Sequence, residues 1–112
     1  MPLTILVADD SASMRSILEM TFAGEDARVV TVGSGDQAVA KAREIRPDIV
    51  LADATMEVDG YQVARALKGD GSLAGIPVVV MASQQHPYDE ARGKEHGVDD
   101  HIVKPFDTQS VI

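Results

Sequence analysis

The sequence predicts an α/β fold in which a five-stranded parallel sheet carries helices on both faces, an arrangement called doubly wound. Short, nearly continuous apolar runs are typical of strands that are covered on both faces. Between them lie segments whose apolar residues recur at helical spacing. At 112 residues the chain has a common size for one domain with its own core. We therefore expect residues 1–112 to form a single domain.

The first half of the chain alternates strand and helix twice. Strands are predicted over residues 3–8 (LTILVA) and 27–32 (ARVVTV). Ser11 is expected to cap the first helix and Gly24 to end it. The apolar face of this helix consists of Met14, Ile17, Leu18 and Phe22. A Gly-rich turn precedes the second helix, which is expected to end before Pro47. The second helix is predicted to bury Ala38, Val39, Ala42 and Ile45.

The second half continues the alternation. Strands are predicted over residues 48–52, 76–82 and 101–104. The third helix is expected to bury Val63, Ala64 and Leu67. The fourth is short and is weakened by Gly93 in its interior. A fifth helix is expected to begin after Pro105 and to be incomplete in this chain, because three full turns would need about ten more residues.

Composition and charge exclude several classes of function. The formal net charge of −8 argues against binding to a nucleic-acid backbone, which requires a basic surface. There are no cysteines, so disulfides and thiolate metal sites are excluded, and a reducing compartment fits. No apolar run approaches the roughly 20 residues that span a bilayer, and the acidic N-terminus does not resemble a signal peptide. We expect a cytoplasmic protein without a membrane partner.

Polar residues follow four of the predicted strands. In a parallel sheet of this kind, functional groups gather beyond the carboxyl ends of the strands. The residues at those ends are Asp9 and Asp10, Asp53, Ala82 and Ser83, and Lys104 followed by Pro105. Three acids and one lysine are therefore expected to converge at one edge. Each acid taken alone could be an ordinary helix cap, and Asp10 or Ser11 could cap the first helix.

Carboxylates that converge repel one another unless a cation offsets their charge. Mg2+ is a hard cation that takes oxygen ligands in octahedral geometry, and Lys104 supplies a second positive charge. A carboxylate between two cations is well placed to attack a phosphoryl group, because both cations offset charge on the phosphoryl oxygens. These residues predict Mg2+ as cofactor and Asp53 as phosphoryl acceptor.

The segments ILVADDSASMR, PDIVLADATM with DGY, IPVVVMAS and GVDDHIVKPF resemble the receiver domain of two-component response regulators, the CheY-like family. The resemblance covers essentially the whole chain. It implies a flavodoxin-like sheet with strand order 2-1-3-4-5. It also implies that Asp9 and Asp10 bind Mg2+ together with Asp53 and the backbone carbonyl of Thr55. Lys104 would contact the phosphoryl group, with a cis bond before Pro105.

The sequence departs from the family pattern at two places. The loop after Asp53 reads DATMEVDG, one residue shorter than usual and with Glu57 in place of proline. Counting back from Lys104 puts the hydroxyl-bearing residue at the end of the fourth strand at Ala82. Ser83 follows Ala82 and is therefore expected on the opposite face of the sheet. Only a local shift in strand register would bring Ser83 into the site. His101 takes the position of the family's switch aromatic, and could equally be a surface residue.

The resemblance also implies partners. These are a sensor histidine kinase or phosphotransfer protein, and a downstream protein bound by the face formed by the fourth helix, fifth strand and fifth helix. These 112 residues contain no output domain, which would have to lie beyond Ile112. Taken alone they resemble stand-alone receivers that act by docking to a partner protein, and we expect no enzyme activity beyond reactions of the receiver's own phosphoryl group. The alternative is a pseudo-receiver, an interaction module that signals without phosphate. A dehalogenase-type phosphatase is disfavoured because Thr55 stands where a second acid is needed. A flavin-binding domain is disfavoured because an acidic pair follows the first strand.

Overall fold

The computed structural model describes residues 3–22, 27–54, 58–83 and 87–104, except for the side chains of Thr21 and Lys104. The five strands are β1 (Leu3–Ala8), β2 (Ala27–Val32), β3 (Ile49–Asp53), β4 (Val78–Ser83) and β5 (Asp100–Lys104). Within these described ranges the four helices are α1 (Ala12–Thr21), α2 (Gly35–Ile45), α3 (Gly60–Lys68) and α4 (Glu90–His96). The predicted fifth helix and the predicted stop at Gly24 lie outside the described residues. Within the described ranges, no helix is both long and apolar enough to cross a membrane.

All pairings in the sheet are parallel, in the order β2-β1-β3-β4-β5. This confirms the predicted fold class and strand order. The order reverses direction between β1 and β3, and such a reversal leaves a crevice at the carboxyl ends of the two strands. The fold therefore places the ends of β1 and β3 side by side.

The sheet separates two apolar layers, because successive side chains of a strand point to opposite faces. One layer packs α2 and α3 on the sheet and includes Leu6, Val50, Val78, Ala38, Ala42, Val63 and Leu67. The other packs α1 on the sheet and includes Ile5, Val7, Leu51, Val79, Met81, Leu18 and Phe22. We call these two sides the α2–α3 face and the α1 face. Odd-numbered residues of β1, β3 and β4 lie on the α1 face.

Side-chain caps begin each helix. Ser11 Oγ accepts a hydrogen bond from the Met14 amide at 3.2 Å, so Ser11, rather than Asp10, caps α1. Asp59 caps α3, where its carboxylate accepts from the Gln62 amide at 3.0 Å and the Gln62 side chain accepts from the Asp59 amide at 3.0 Å. This capping box satisfies two amides that the first helical turn leaves without partners. It also marks the end of the loop that follows Asp53.

Candidate metal and phosphoacceptor site

Asp9 is placed at the end of β1 by three backbone-directed contacts. Its amide donates to the carbonyl of Val32 at 3.1 Å and so continues the pairing with β2. Its carboxylate accepts from the Ser11 amide at 2.9 Å. Its carbonyl accepts from the guanidinium of Arg15 at 2.6 Å. Asp9 is fully buried, and these contacts hold its backbone and carboxylate in one position.

Asp53 is the last residue of β3 and is 3% exposed. It pairs with Met81 of β4, and the Ala54 amide that follows it donates to the Met81 carbonyl at 3.0 Å. The strand ladder therefore holds the backbone on both sides of the carboxylate. Both Asp9 and Asp53 make further interactions, as buried carboxylates require.

The carboxylates of Asp9, Asp10 and Asp53 converge. One oxygen from each can be chosen so that all three lie within 4.8 Å of one another. Asp9 and Asp53 are buried and Asp10 is exposed, so the cluster opens to solvent on the side of Asp10. The predicted convergence of acids at the ends of β1 and β3 is thus present in the structure.

This donor set fits a hard divalent cation. Mg2+ binds oxygen at about 2.1 Å in octahedral geometry, so adjacent oxygens on one ion are about 3.0 Å apart and opposite oxygens about 4.2 Å apart. The three carboxylate oxygens lie within 4.8 Å of one another, so each pair has to approach by at most about 2 Å to share one ion. Three carboxylates also carry enough negative charge to make cation binding favourable.

Ser83 lies on the same face of the sheet as Asp53. Residues two apart in a strand point to the same face. Met81, two residues before Ser83, packs on the α1 face. Leu51, two residues before Asp53, packs on that face as well. Ser83 also pairs with the backbone of Lys104 and is half-buried. Its position is therefore next to the acidic cluster in the strand order.

Ala82 lies on the opposite face. It is buried and alternates with Met81, which places it on the α2–α3 face. This differs from the sequence analysis, which assigned the hydroxyl position to Ala82 by counting back from Lys104 and expected Ser83 to point away from the site. Counting back from Lys104 assumes that the segment between β4 and β5 has the length usual in the family. A difference of one residue in that length would exchange the faces of the sheet assigned to Ala82 and Ser83.

Several predicted site residues lie partly or wholly outside the described residues. The backbone of Lys104 ends β5, but its side chain is not among those described. Thr55 and Glu57 of the loop after Asp53, and Pro105, also lie outside the described residues. His101 is described: it is half-buried, and its ring stacks on Tyr88 at 4.0 Å between centroids with 3° between planes.

Sequence reasoning missed the contacts on the α2–α3 face beside the site. The guanidinium of Arg92 in α4 forms an ion pair with Asp59 at 2.8 Å and lies 4.5 Å from the centre of the Tyr61 ring. The amide of Asp89 donates to the Tyr61 hydroxyl at 2.8 Å. The contact of Arg15 with Asp9 was also missed. These residues lie far apart in the sequence, and no periodic pattern connects them.

Comparison with known proteins gives a consistent result. A family model described as the response regulator receiver domain matches residues 5–112. The chain is 37% identical over 109 residues to the DNA-binding response regulator MtrA of Mycolicibacterium paratuberculosis, covering 96% of this chain and 47% of that protein. It is 30% identical over 111 residues to protein PilG of Pseudomonas aeruginosa, covering 98% and 82%. The chain thus spans about half the length of the MtrA relatives.

Solved structures of similar chains share the fold. The chemotaxis protein CheY4 of Vibrio cholerae matches with a TM-score of 0.91 and 26% identity, covering 99% of this chain and 93% of that chain. The receiver domain of the sensor histidine kinase PA1611 from Pseudomonas aeruginosa matches with a TM-score of 0.87 and 25% identity, covering 99% and 92%. That structure was solved with a magnesium ion coordinated in the active-site cleft.

Proposed function

The chain belongs to the response regulator receiver domain family, and from that premise we propose that it accepts a phosphoryl group on Asp53 from a sensor histidine kinase or phosphotransfer protein. The observation that carries the proposal is the convergence of three carboxylates within 4.8 Å, two of them buried. Buried acids kept this close favour a bound cation and a reaction with a charged group rather than a purely structural role.

We propose Mg2+ as the ion at this site. Asp9, Asp10 and Asp53 would supply carboxylate oxygens, and the carbonyl of Thr55 is expected from the family resemblance to supply a fourth protein ligand. When bound, the ion offsets the negative charge of the acids and of the incoming phosphoryl oxygens. The magnesium in the PA1611 receiver domain supports this assignment.

The protein's own part in the transfer is positioning. A carboxylate oxygen of Asp53 attacks phosphorus, an acyl phosphate bond forms, and the phosphorus–nitrogen bond of the donor phosphohistidine breaks, its electrons remaining on the imidazole. The β3–β4 ladder holds Asp53 in place, which reduces the entropic part of the barrier. Ser83 is the hydroxyl candidate for contacting the phosphoryl oxygens, since it lies on the Asp53 face. The Lys104 ammonium is the proposed second cation.

The proposed output is a change in a protein-docking surface formed by α4, β5 and the residues after β5. Phosphorylation adds close to two negative charges, and we propose that it biases two pre-existing states of this surface. The partner is a downstream protein rather than nucleic acid. The similarity to DNA-binding regulators concerns only about half of their length, so any DNA binding would depend on segments outside this domain.

Phosphodonor labelling tests the proposal. The protein is incubated with acetyl phosphate, with and without Mg2+, and its intact mass is measured. We expect one added phosphoryl group that requires Mg2+ and that is absent from Asp53→Asn. The matched control Asp36→Asn changes an exposed acid at the start of α2 and should label like the wild type. Failure of the wild type to gain mass at millimolar Mg2+ would reject the proposal.

A pseudo-receiver that signals without phosphate is the second candidate. The shortened loop between Asp53 and Asp59 favours it, because this loop carries the proposed carbonyl ligand at Thr55. Under this alternative Mg2+ binds weakly or not at all, and no mass is added by any small phosphodonor. The same experiment therefore separates the two candidates.

A further inference from the structure

Three aromatic rings form a continuous stack across the α2–α3 face, from α3 to β5. Tyr88, which precedes α4, stacks on His101 of β5 at 4.0 Å between centroids, with 3° between planes. It also stacks on Tyr61 of α3 at 5.8 Å and 22°. Aromatic contacts of this kind stabilise the packed arrangement beyond the burial of the ring surfaces. Tyr88 is thus the central ring between two elements that are far apart in sequence.

Gly93 makes room for the Tyr88 ring. A Cβ at Gly93 would overlap the Tyr88 hydroxyl and would lie 2.6 Å from the ring carbon that carries it. Glycine in the middle of a helix is destabilising relative to alanine. The sequence analysis interpreted Gly93 only as a weakness in α4. The structure shows that this glycine accommodates the ring, so Tyr88 packs directly against the backbone of α4.

The Tyr61 end of the stack is joined to the phosphoacceptor strand. Tyr61 is the second residue of α3, directly after Gly60, and Gly60 packs on the end of β3: a Cβ there would lie 2.6 Å from the Ala52 carbonyl oxygen and 3.2 Å from that of Asp53. The Tyr61 hydroxyl accepts from the Asp89 amide at 2.8 Å. Backbone contact therefore connects the end of β3 to α3, and the Tyr61–Asp89 hydrogen bond connects α3 to the segment that carries Tyr88.

An ion pair adds a parallel connection. Arg92 of α4 is bonded to Asp59, the cap of α3, at 2.8 Å, and the Asp59 side chain is only 13% exposed. Partial burial strengthens such a pair relative to one on the surface. Arg92 thus connects α4 to the start of α3 in two ways, through the ion pair with Asp59 and through its contact with the Tyr61 ring.

The other end of the stack reaches an exposed surface. His101 is on the α4 side of β5, as is Val103 two residues later, which is 45% exposed. A large exposed apolar side chain next to a half-buried ring gives a surface whose shape depends on where that ring sits. Movement of Tyr88 would release or hold His101 and so alter the surface around it.

We propose that Tyr88, rather than His101, is the ring whose position couples the phosphoacceptor site to the β5 surface. This inference rests on the proposed function, because the site that it regulates is the one assigned to phosphoryl transfer. Coupling through a ring with two positions requires only that the two states be close enough in free energy for both to be populated. Because Tyr88 contacts both Tyr61 and His101, its aromatic contacts contribute to that balance.

The forward test measures both phosphorylation and its effect at β5 in the full chain. Labelling by acetyl phosphate is followed by intact mass, and the amide shifts of Ile102 and Val103 are followed by NMR on adding Mg2+ and beryllofluoride. We expect Tyr88→Leu to label within two-fold of the wild type while its β5 shift changes fall at least two-fold. Tyr88→Phe keeps the ring and should behave like the wild type. Undiminished β5 shifts in Tyr88→Leu would overturn the inference and leave the proposed function intact.

The reverse test needs no phosphoryl group. Gly93→Ala displaces the Tyr88 ring, so the amides of Asp53, Gly60 and Tyr61 should shift relative to the wild type in the absence of any donor. Gly75→Ala is the matched control, since no atom lies within 4 Å of its added Cβ. Unchanged shifts at Asp53 and Gly60 in Gly93→Ala would overturn the coupling. If the wild type cannot be labelled, the proposed function fails and this reverse test alone decides the inference.

A rapid optical measurement accompanies both tests. The chain has two tyrosines and no tryptophan, and both tyrosines are in the stack. Its intrinsic fluorescence and near-ultraviolet circular dichroism therefore report on Tyr61 and Tyr88. Gly93→Ala keeps both tyrosines but displaces the Tyr88 ring. A change in these signals on adding Mg2+ and beryllofluoride supports the proposal when Gly93→Ala abolishes it, and contradicts the proposal when Gly93→Ala leaves it unchanged.

Discussion

Neutralising Asp10 should make the protein more stable without Mg2+ and less responsive to Mg2+. Asp10 is the exposed member of the acidic cluster, so Asp10→Asn removes charge without leaving a cavity. The carboxylate oxygens lie within 4.8 Å of one another, and two unit charges at that limit would repel by about 0.9 kcal/mol in water and about 3.5 kcal/mol at an effective dielectric constant of 20. Because Asp10 faces solvent, the lower figure is closer for each of its two neighbours. We expect a gain in unfolding free energy of about 1–2 kcal/mol at low salt.

Addition of Mg2+ should reverse much of this difference. A ligand at ten times its dissociation constant stabilises the folded state by about 1.4 kcal/mol, whereas a ten-fold loss of affinity reduces that to about 0.4 kcal/mol. The wild type should therefore gain about 1 kcal/mol more from Mg2+ than Asp10→Asn does. Electrostatic repulsion is the cause in both conditions, so raising the salt concentration should shrink the difference measured without Mg2+.

Urea denaturation at low ionic strength, with and without Mg2+, provides the assay. Glu95→Gln is the matched control, because Glu95 is an exposed acid on α4 and its substitution removes the same charge elsewhere. The reasoning is refuted if Asp10→Asn is less stable than the wild type without Mg2+, or if both proteins and the control gain equally from Mg2+.

Three further predictions concern the framework around the site. Gly60→Ala should destabilise the fold by about 1–3 kcal/mol in urea denaturation, because its Cβ would lie 2.6 Å from the Ala52 carbonyl oxygen. The control Gly75→Ala has open space around its added Cβ and should change stability by less than about 1 kcal/mol. Equal effects of the two substitutions would contradict the packing argument. Lys68→Met should cost about 2 kcal/mol, because the ammonium donates to two carbonyls at 3.1 and 2.9 Å and pairs with Asp99 at 2.8 Å; a loss below about 0.5 kcal/mol would show that these bonds do not matter. Burial opposes ionisation of Asp99, but hydrogen bonds from Lys68 and the Val78 amide outweigh it and lower the pKa of that carboxyl. The ionised Asp99 carboxylate should add less than about 1 kcal/mol to the free energy of unfolding, because its position is exposed. This contribution should be complete above the unfolded pKa near 3.8 and should disappear as the pH falls through the lower folded pKa. Wild type and Asp99→Asn should therefore differ in stability at neutral pH and converge in acid.

The strands and helices were predictable because the periods of their apolar residues differ clearly. Strand bounds from the sequence agree with the structure to within two residues. The shifts have local causes: Asp48 was assigned to β3, but its carboxylate accepts from the Thr4 amide at 2.7 Å, which places it just before the strand. Ile76 was assigned to β4, but its amide donates to the Leu73 carbonyl at 3.0 Å in the preceding turn.

The acidic cluster was predictable for the same reason. Once the strands and their order are known, Asp9 and Asp53 must lie at adjacent strand ends. The choice between Ala82 and Ser83 was not predictable, because it depends on a one-residue register and sequence counting across α4 does not determine it. The contacts of Tyr88 were also beyond sequence reasoning, since they join residues in different elements with no periodic pattern.

The central claim is that Asp9, Asp10 and Asp53 form one binding site for a divalent cation. Mn2+ takes the same hard oxygen ligands as Mg2+ and broadens NMR signals near it. Titration of substoichiometric Mn2+ into the protein should first broaden the amides of these three residues, and excess Mg2+ should restore them. Broadening that begins instead at exposed acids such as Asp89 and Glu90, or that Mg2+ does not reverse, would contradict the claim.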